Sequence, residues 1–126
     1  NPVKPPQYIG KDADIKNSFI TEGCVIEGTV TKSIIFQSVK IGKGAFVSNS
    51  IIMPGAEIKE GAVVEYTIVG EESIIEKDVT TGEYGGIDYS GSRPPITVIG
   101  QEIRIGEGAV ICSGAMIDKD IEKEEE

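Results

Sequence analysis

Histidine and tryptophan are absent from the 126-residue sequence, which contains only four tyrosines and three phenylalanines. Without histidine, no imidazole can serve as a general base or as a metal ligand. With so few large aromatic side chains, the core is predicted to consist of branched aliphatic residues of nearly uniform size. Such uniform filling suits a core built from repeats.

Cysteine is almost as scarce, with two residues, Cys24 and Cys112, far apart and in no CxxC pair. This spacing predicts neither a disulfide framework nor a zinc site. We therefore interpret both as buried or idle thiols.

Basic residues are the scarcer charge class, since 12 lysines and arginines stand against 21 acidic residues, a net charge of -9. This balance repels phosphate backbones and anionic headgroups, so we expect neither nucleic acid nor a membrane as a partner. No apolar run approaches the roughly 20 residues of a membrane span, and the first residues lack the features of a signal peptide. We expect a soluble, cytoplasmic chain that forms a single domain.

Internal repetition dominates the rest of the sequence. Four segments align so that Ser18, Ser33, Ser50 and Thr67 form one column, at separations of 15, 17 and 17 residues. In the stretch IIMPGAEIKEGAVV, residues 51–64, aliphatic residues recur every six positions. This period is neither the 3.6 of a helix nor the simple alternation of one long strand. It predicts three short strands in each unit.

A unit of three short strands predicts one turn of a parallel β-helix with a triangular cross-section. Small residues recur two positions before aliphatic ones, where both side chains would point inward. These small residues are Ala13, Cys24, Ala45, Ala56, Ala62, Ser73, Ala109 and Ala115. Glycines precede several of them and are predicted at the bends, where positive φ favours glycine. They are Gly23, Gly44, Gly55, Gly61, Gly108 and Gly114.

The spacing itself does not determine handedness, and the general rule for parallel crossovers favours the right-handed form. The repeat, however, resembles the hexapeptide motif, whose known members form left-handed β-helices. The resemblance therefore implies an all-β fold, a single-stranded left-handed parallel β-helix shaped as a triangular prism.

One inserted loop is predicted at about residues 80–96, because the aliphatic columns break there and resume in the same register at Thr97. The segment is rich in glycine, serine and proline and contains Tyr84, Tyr89 and Arg93. Two interpretations remain open, a plain surface loop and a subunit or effector contact through these three side chains. The remaining boundaries are predicted as an extended, proline-containing lead-in at 1–8, the β-helix domain at 9–121 and an acidic tail at 122–126.

No catalytic residue and no metal site are predicted in this chain. The hexapeptide acyltransferases that the repeat resembles use a histidine as general base, and hexapeptide carbonic anhydrases bind zinc through three. Cys112 has no base beside it, and the serines of the column are predicted to cap bends. The sequences IGKGA and IGEGA lack the lysine and helix that follow a phosphate-binding loop.

The order of several sequence phrases resembles the carboxy-terminal domain of bacterial glucose-1-phosphate adenylyltransferase (ADP-glucose pyrophosphorylase). The phrases are PPQYIG, NSFITEGCVIEG, SIIF, NSIIMPGAEI and EYTIVGE, and the resemblance runs from about Pro5 to Val79. It implies a parent enzyme that makes ADP-glucose from ATP and glucose 1-phosphate for glycogen or starch synthesis. The magnesium, the ATP and the sugar phosphate would bind an amino-terminal catalytic domain outside this sequence, so no cofactor is expected in the chain itself.

The resemblance further implies that this β-helix packs on the amino-terminal catalytic domain, takes part in a homo- or hetero-tetramer and helps to form an allosteric effector site. Effectors in the family are anionic, so their site needs arginine or lysine donors. Some members carry arginines in the coil corresponding to AVVEYTIVG, where this chain has Glu65 and Tyr66. A regulatory, catalytically inactive paralogue therefore stays open.

Two other functional hypotheses remain. The chain could be the β-helix tail of a different sugar-phosphate nucleotidyltransferase, for example one for mannose or N-acetylglucosamine phosphates. It could also be a free-standing hexapeptide scaffold that trimerises through a flat side and acts only as a binding module.

Overall fold

The computed structural model describes residues 8–11, 13–83 and 95–122, without the side chains of Tyr8 and Glu83. Within these residues the regular structure consists of 18 short strands, β1 to β18, and contains no helix. Accordingly, the described residues include no helix that is long and apolar enough to cross a membrane.

The strands form three parallel sheets of six, and every third strand along the chain joins the same sheet. The first face contains β1 (Tyr8–Ile9), β4 (Val25–Ile26), β7 (Lys40–Ile41), β10 (Glu57–Ile58), β13 (Ile74–Ile75) and β16 (Arg104–Ile105). The second face contains β2 (Asp14–Lys16), β5 (Thr29–Thr31), β8 (Phe46–Ser48), β11 (Val63–Glu65), β14 (Thr80–Glu83) and β17 (Val110–Cys112). The third face contains β3 (Phe19–Ile20), β6 (Ile34–Ile35), β9 (Ile51–Ile52), β12 (Thr67–Val69), β15 (Thr97–Ile99) and β18 (Met116–Ile117).

Each coil thus crosses three faces in turn, and the predicted left-handed parallel β-helix is confirmed. The register stacks equivalent residues directly, as in the column Ile26, Ile41, Ile58, Ile75 and Ile105 on the first face. All five side chains are at most 1% exposed. One aliphatic column from each face therefore fills the interior along the axis.

The predicted small residues occupy the inner side of the corners. Six of the eight are buried, whereas Ala13 and Ala115, in the first and last coils, are only partly buried. Cys24 is 1% exposed and its thiol donates a hydrogen bond to the Phe36 carbonyl oxygen at 3.0 Å, so it packs as a small core residue. The six predicted bend glycines all have positive φ, between 72° and 83°.

Glycine is not the only residue in the left-handed region. Eight other residues have φ between 47° and 61°: Asn17, Lys32, Ser38, Asn49, Tyr66, Glu72, Asp78 and Glu102. Four of them, Asn17, Lys32, Asn49 and Tyr66, each precede a hydroxyl residue at the corner between the second and third faces. The sequence predicts that the serines of this column cap bends, but it does not indicate the left-handed residues that precede them.

The chain stays in the sheets on both sides of the predicted insertion. Strand β14 pairs with β11 and β17, with a register shift after Thr81, and β15 pairs with β12 so that Thr67 lies opposite Thr97. The sheet positions therefore continue to Glu83 and resume at Thr97 in the expected register.

Candidate functional site

A column of hydroxyl groups runs along the corner between the second and third faces. Ser50 Oγ donates to the Ser48 carbonyl oxygen at 2.8 Å and accepts the backbone N–H of Thr67 at 3.2 Å. Ser33 makes the same two bonds one coil earlier, to Thr31 and from Ser50. These hydroxyls bond to the backbone and are engaged within the scaffold, as the sequence predicts, so they are not poised as nucleophiles.

The described residues contain no group of three or more acidic or cysteine side chains that could hold a metal ion. Cys112 is exposed and Cys24 is buried, and both thiols are free. The predicted contact residues Tyr84, Tyr89 and Arg93 lie outside the described residues, so their role stays a prediction.

Ion pairs are concentrated around the first face. Lys59 Nζ lies 2.9 Å from Glu57 Oε2, and the hydrogen bond that Lys59 donates to this carboxylate raises the pKa of Lys59, against a smaller lowering by burial. Arg104 Nε donates to Glu76 Oε2 at 2.6 Å, across neighbouring strands. The arginine in the described residues is therefore already paired with a carboxylate.

A shallow groove of about 280 Å³ crosses the first face beside these pairs. Its charged lining consists of the lysines Lys40, Lys59 and Lys77 and the glutamates Glu27, Glu57 and Glu60. Three positive and three negative groups cancel, so the groove offers an anionic effector no net positive charge.

A second groove, of about 500 Å³, lies at the border of the third face. Its lining residues are Lys32, Ile34, Asn49, Ser50, Ile51, Tyr66 and Ile96. Tyr66 has φ 47°, a backbone conformation that is unusual for a bulky residue and is typical of positions held in place by their surroundings. Tyr66 thus contributes to a groove lined by both apolar and polar side chains.

The third face carries an apolar column on its outer side. The register aligns Phe19, Ile34, Ile51, Ile68, Val98 and Met116 in one row, one residue from each strand. Their inward neighbours build the core, so two aliphatic residues stand side by side in most of these strands. The six-residue period predicts only the inward member of each pair. The doublets in SIIF, SIIM and TIV were the available signal.

Comparison with known proteins places these features in a family. Residues 5–93 match the family described as GlmU-like, C-terminal hexapeptide. Glucose-1-phosphate adenylyltransferases of Bacillus thuringiensis (strain Al Hakam) and Bacillus anthracis are each 50% identical to this chain over 76 residues. The predicted resemblance to that enzyme is thereby confirmed. The aligned part is 60% of this chain and 20% of each relative, so the chain spans about a fifth of their length.

Among solved structures, the acetyltransferase domain of PglB from Neisseria gonorrhoeae FA1090 superposes with a TM-score of 0.70 and 25% sequence identity. The match covers 94% of this chain and 52% of that chain. At 94% of the chain, the superposed part is longer than residues 5–93. Residues 5–93 match this family over more than half of the chain, and the repeated coils account for the match. The chain therefore belongs to the GlmU-like, C-terminal hexapeptide family.

Proposed function

We propose that this β-helix is the carboxy-terminal assembly and allosteric-regulatory domain of a glucose-1-phosphate adenylyltransferase. The observation that carries the proposal is the 50% identity over 76 residues to enzymes of that name. Identity at this level over several coils exceeds what a shared hexapeptide pattern requires, because that pattern constrains only the inward-facing and corner positions.

In this proposal the chemistry belongs to an amino-terminal domain outside residues 1–126. ATP, magnesium and glucose 1-phosphate bind there, and the product is ADP-glucose. The chain itself is inactive and needs no cofactor. Its composition supports this division, because it has no histidine to serve as a general base.

The partners of the chain are accordingly the catalytic domain and further subunits of a homo- or hetero-tetramer. A prism whose strands pair continuously through three sheets suits that role, since its coils cannot shift independently without breaking the backbone ladders. Such a body holds the domains and subunits that pack on it at constant separation.

Regulation by anionic sugar phosphates or nucleotides needs cationic donors. On the first face the groove is lined by three lysines and three glutamates, and Arg104 is bound to Glu76. We therefore propose that the effector site is completed by basic residues of the catalytic domain or of a neighbouring subunit, with Arg93, Tyr84 and Tyr89 as the candidates in this chain.

The deciding experiment uses the protein encoded by the complete reading frame that contains these residues. We expect it to form ADP-glucose from ATP and glucose 1-phosphate. Turnover of mannose 1-phosphate or N-acetylglucosamine 1-phosphate instead would assign the chain to a different nucleotidyltransferase. If the protein is inactive alone but changes the effector response of a catalytic homologue mixed with it, it is the regulatory paralogue.

A free-standing scaffold is the second candidate, because the described prism superposes on an acetyltransferase domain over 94% of the chain. The two candidate functions predict different sequences directly upstream of Asn1 in the reading frame. A start codon directly before Asn1 would support the scaffold, and an upstream nucleotidyltransferase domain in the same frame would exclude it.

A further inference from the structure

Two asparagines of the described chain precede a serine at the corner between the second and third faces. The dipeptides are Asn17–Ser18 and Asn49–Ser50. Asn17 and Asn49 also share the same left-handed backbone, with φ 50° at each. Any difference in reactivity between them in the folded protein therefore reflects the surroundings of one dipeptide in one main-chain conformation.

An asparagine that precedes a serine can lose its side-chain amide without an enzyme. The nitrogen of the serine bonds to the asparagine Cγ, the bond from Cγ to Nδ2 breaks, and the amide leaves as ammonia with the proton of the serine nitrogen. Water then opens the resulting succinimide ring to aspartate or to isoaspartate, in which the main chain runs through the side-chain carbon. The reaction needs a free backbone N–H, a mobile side-chain amide and water. Serine favours it because its Cβ carries no second branch.

The contacts of Asn49 and Ser50 oppose this reaction. The Ser50 N–H, whose nitrogen would have to attack, donates to Ser33 Oγ in the preceding coil at 3.1 Å. Asn49 Nδ2, which would have to leave, donates to Ser48 Oγ at 2.9 Å. Ser50 is only 3% exposed, which keeps water from its main chain. Both reacting groups are thus held within the prism.

Asn17 and Ser18 are less constrained, because they lie in the first coil. Asn17 is exposed and Ser18 is only partly buried. Ser18 Oγ accepts the Ser33 N–H of the following coil at 3.1 Å, but β2 and β3 are edge strands of their sheets. Among the described residues, no preceding coil therefore supplies the Ser18 N–H with the hydroxyl that Ser33 supplies to Ser50.

We propose that Asn17 is a site of spontaneous modification, at which the Ser18 nitrogen displaces ammonia and water converts the succinimide to aspartate and isoaspartate. Asn49, in the same dipeptide, is protected by its hydrogen bonds. Either product adds a negative charge beside β3, and isoaspartate also adds a methylene to the main chain between β2 and β3.

The added methylene affects the contacts of the first coil. Ser18 Oγ donates to the Lys16 carbonyl oxygen at 2.9 Å and accepts the Ser33 N–H, and a longer corner moves it away from both. Modification therefore loosens the first coil and leaves the later coils intact. This proposal does not depend on the proposed enzymatic role.

The test incubates the protein encoded by the complete reading frame at neutral pH and follows both asparagines by mass spectrometry. Cleavage after lysine places them on different peptides, residues 17–32 and 44–59. The first peptide is expected to gain the mass difference between an amide and an acid at least about tenfold faster than the second. Methylation of the first peptide by an isoaspartyl methyltransferase with S-adenosylmethionine identifies the isoaspartate. Equal rates in the folded protein, or a faster reaction at Asn49, would overturn the proposal.

Variants and denaturant show whether the hydrogen bonds cause the protection. Ser48→Ala removes the acceptor of Asn49 Nδ2 and Ser33→Ala that of the Ser50 N–H, so each should accelerate the reaction at Asn49 by about threefold or more. Ser113→Ala, in the last coil, is the matched control and should leave both rates unchanged. Circular dichroism verifies that the variants are folded. In urea the rates at Asn17 and Asn49 should become similar, and a tenfold difference that persisted there would contradict protection by the fold.

The effect on the first coil is measured with a chain that cannot react. Asn17→Gly removes the amide and suits the left-handed backbone. After incubation, the amides of β2 and β3 should exchange with solvent faster in the unsubstituted protein than in Asn17→Gly, while those of β10 and β11 should not differ. Unchanged exchange of β2 and β3 in a sample that contains isoaspartate would refute the loosening of the first coil.

Discussion

At the scale of single residues, the corner between the second and third faces combines two features that depend on each other. A residue in the left-handed region, such as Asn49 with φ 50°, turns the chain sharply. The hydroxyl that follows it then reaches back to the carbonyl two positions earlier, at 2.8 Å for Ser50. The same oxygen accepts an N–H from the next coil. The hydroxyls of Ser18, Ser33 and Ser50 therefore each stabilise their own bend and the pairing of two coils.

Replacing Ser50 tests this double role. Ser50 is 3% exposed, so Ser50→Ala leaves the Thr67 N–H buried without its acceptor. Such an unsatisfied group costs about 1–3 kcal/mol, which we expect as a decrease in the free energy of unfolding measured with urea. Ser50→Thr is the matched control and should lose much less, because threonine occupies this column at positions 67 and 97. Equal losses in the two variants would mean that packing, and not the hydroxyl, matters there.

At the scale of a coil, two kinds of glycine support the bends for different physical reasons. Gly108 has φ 78° and open space where a Cβ would lie. Gly28 is buried and does not have positive φ, but a Cβ there would lie 2.5 Å from the Ala45 carbonyl oxygen and 2.7 Å from that of Gly42. At Gly108 the constraint is local conformation, and at Gly28 it is the approach of the neighbouring coil.

The two constraints respond differently to substitution. Gly108→Ala should cost about 1–2 kcal/mol from its left-handed backbone, and Gly108→Asn should cost less, because asparagine tolerates that conformation. Gly28→Ala should cost about 3 kcal/mol or more, because backbone oxygens of the next coil must move, and Gly28→Asn should be worse still. Urea denaturation of the four variants measures this order. If Gly28→Asn were less destabilising than Gly28→Ala, as is expected at position 108, the close approach of the neighbouring coil would not explain why glycine is needed at position 28.

The sequence predicts the inward half of each coil well and the rest less well, for identifiable reasons. A period of six reports which side chains face the core, so the pattern alone is enough to place Ile41, Ile58 and Ile75 and the alanines beside them. The left-handed turns at Lys32 and Tyr66 carry no glycine signal, because their stability comes from hydrogen bonds to a neighbouring coil. The six-residue period concerns only the inward side chains, so the outward apolar column is indicated by the aliphatic doublets and not by the period.

At the scale of the whole molecule, the coils share one core and differ in how completely they are covered. In the middle of the prism Ile52, Ile58 and Val64 are at most 1% exposed. Ile15 and Ile117, in the first and last coils, are only partly buried, because each has a neighbouring coil on one side alone. Stability in a stacked repeat is approximately a sum of terms within coils and between neighbouring coils. The end coils therefore have the fewest interactions to lose when they open.

This gradient predicts how the amide hydrogens exchange with solvent. Amides of β10 and β11 should exchange at least about tenfold more slowly than those of β2 and β18 under native conditions, because the end coils can open without the centre. Native-state exchange followed by NMR at increasing urea concentrations measures both sets. The exchange of β2 and β18 should depend weakly on urea, since local opening exposes little surface, while that of β10 and β11 should follow global unfolding. Uniform protection, with one urea dependence for all four strands, would instead show that the prism opens only as a single unit.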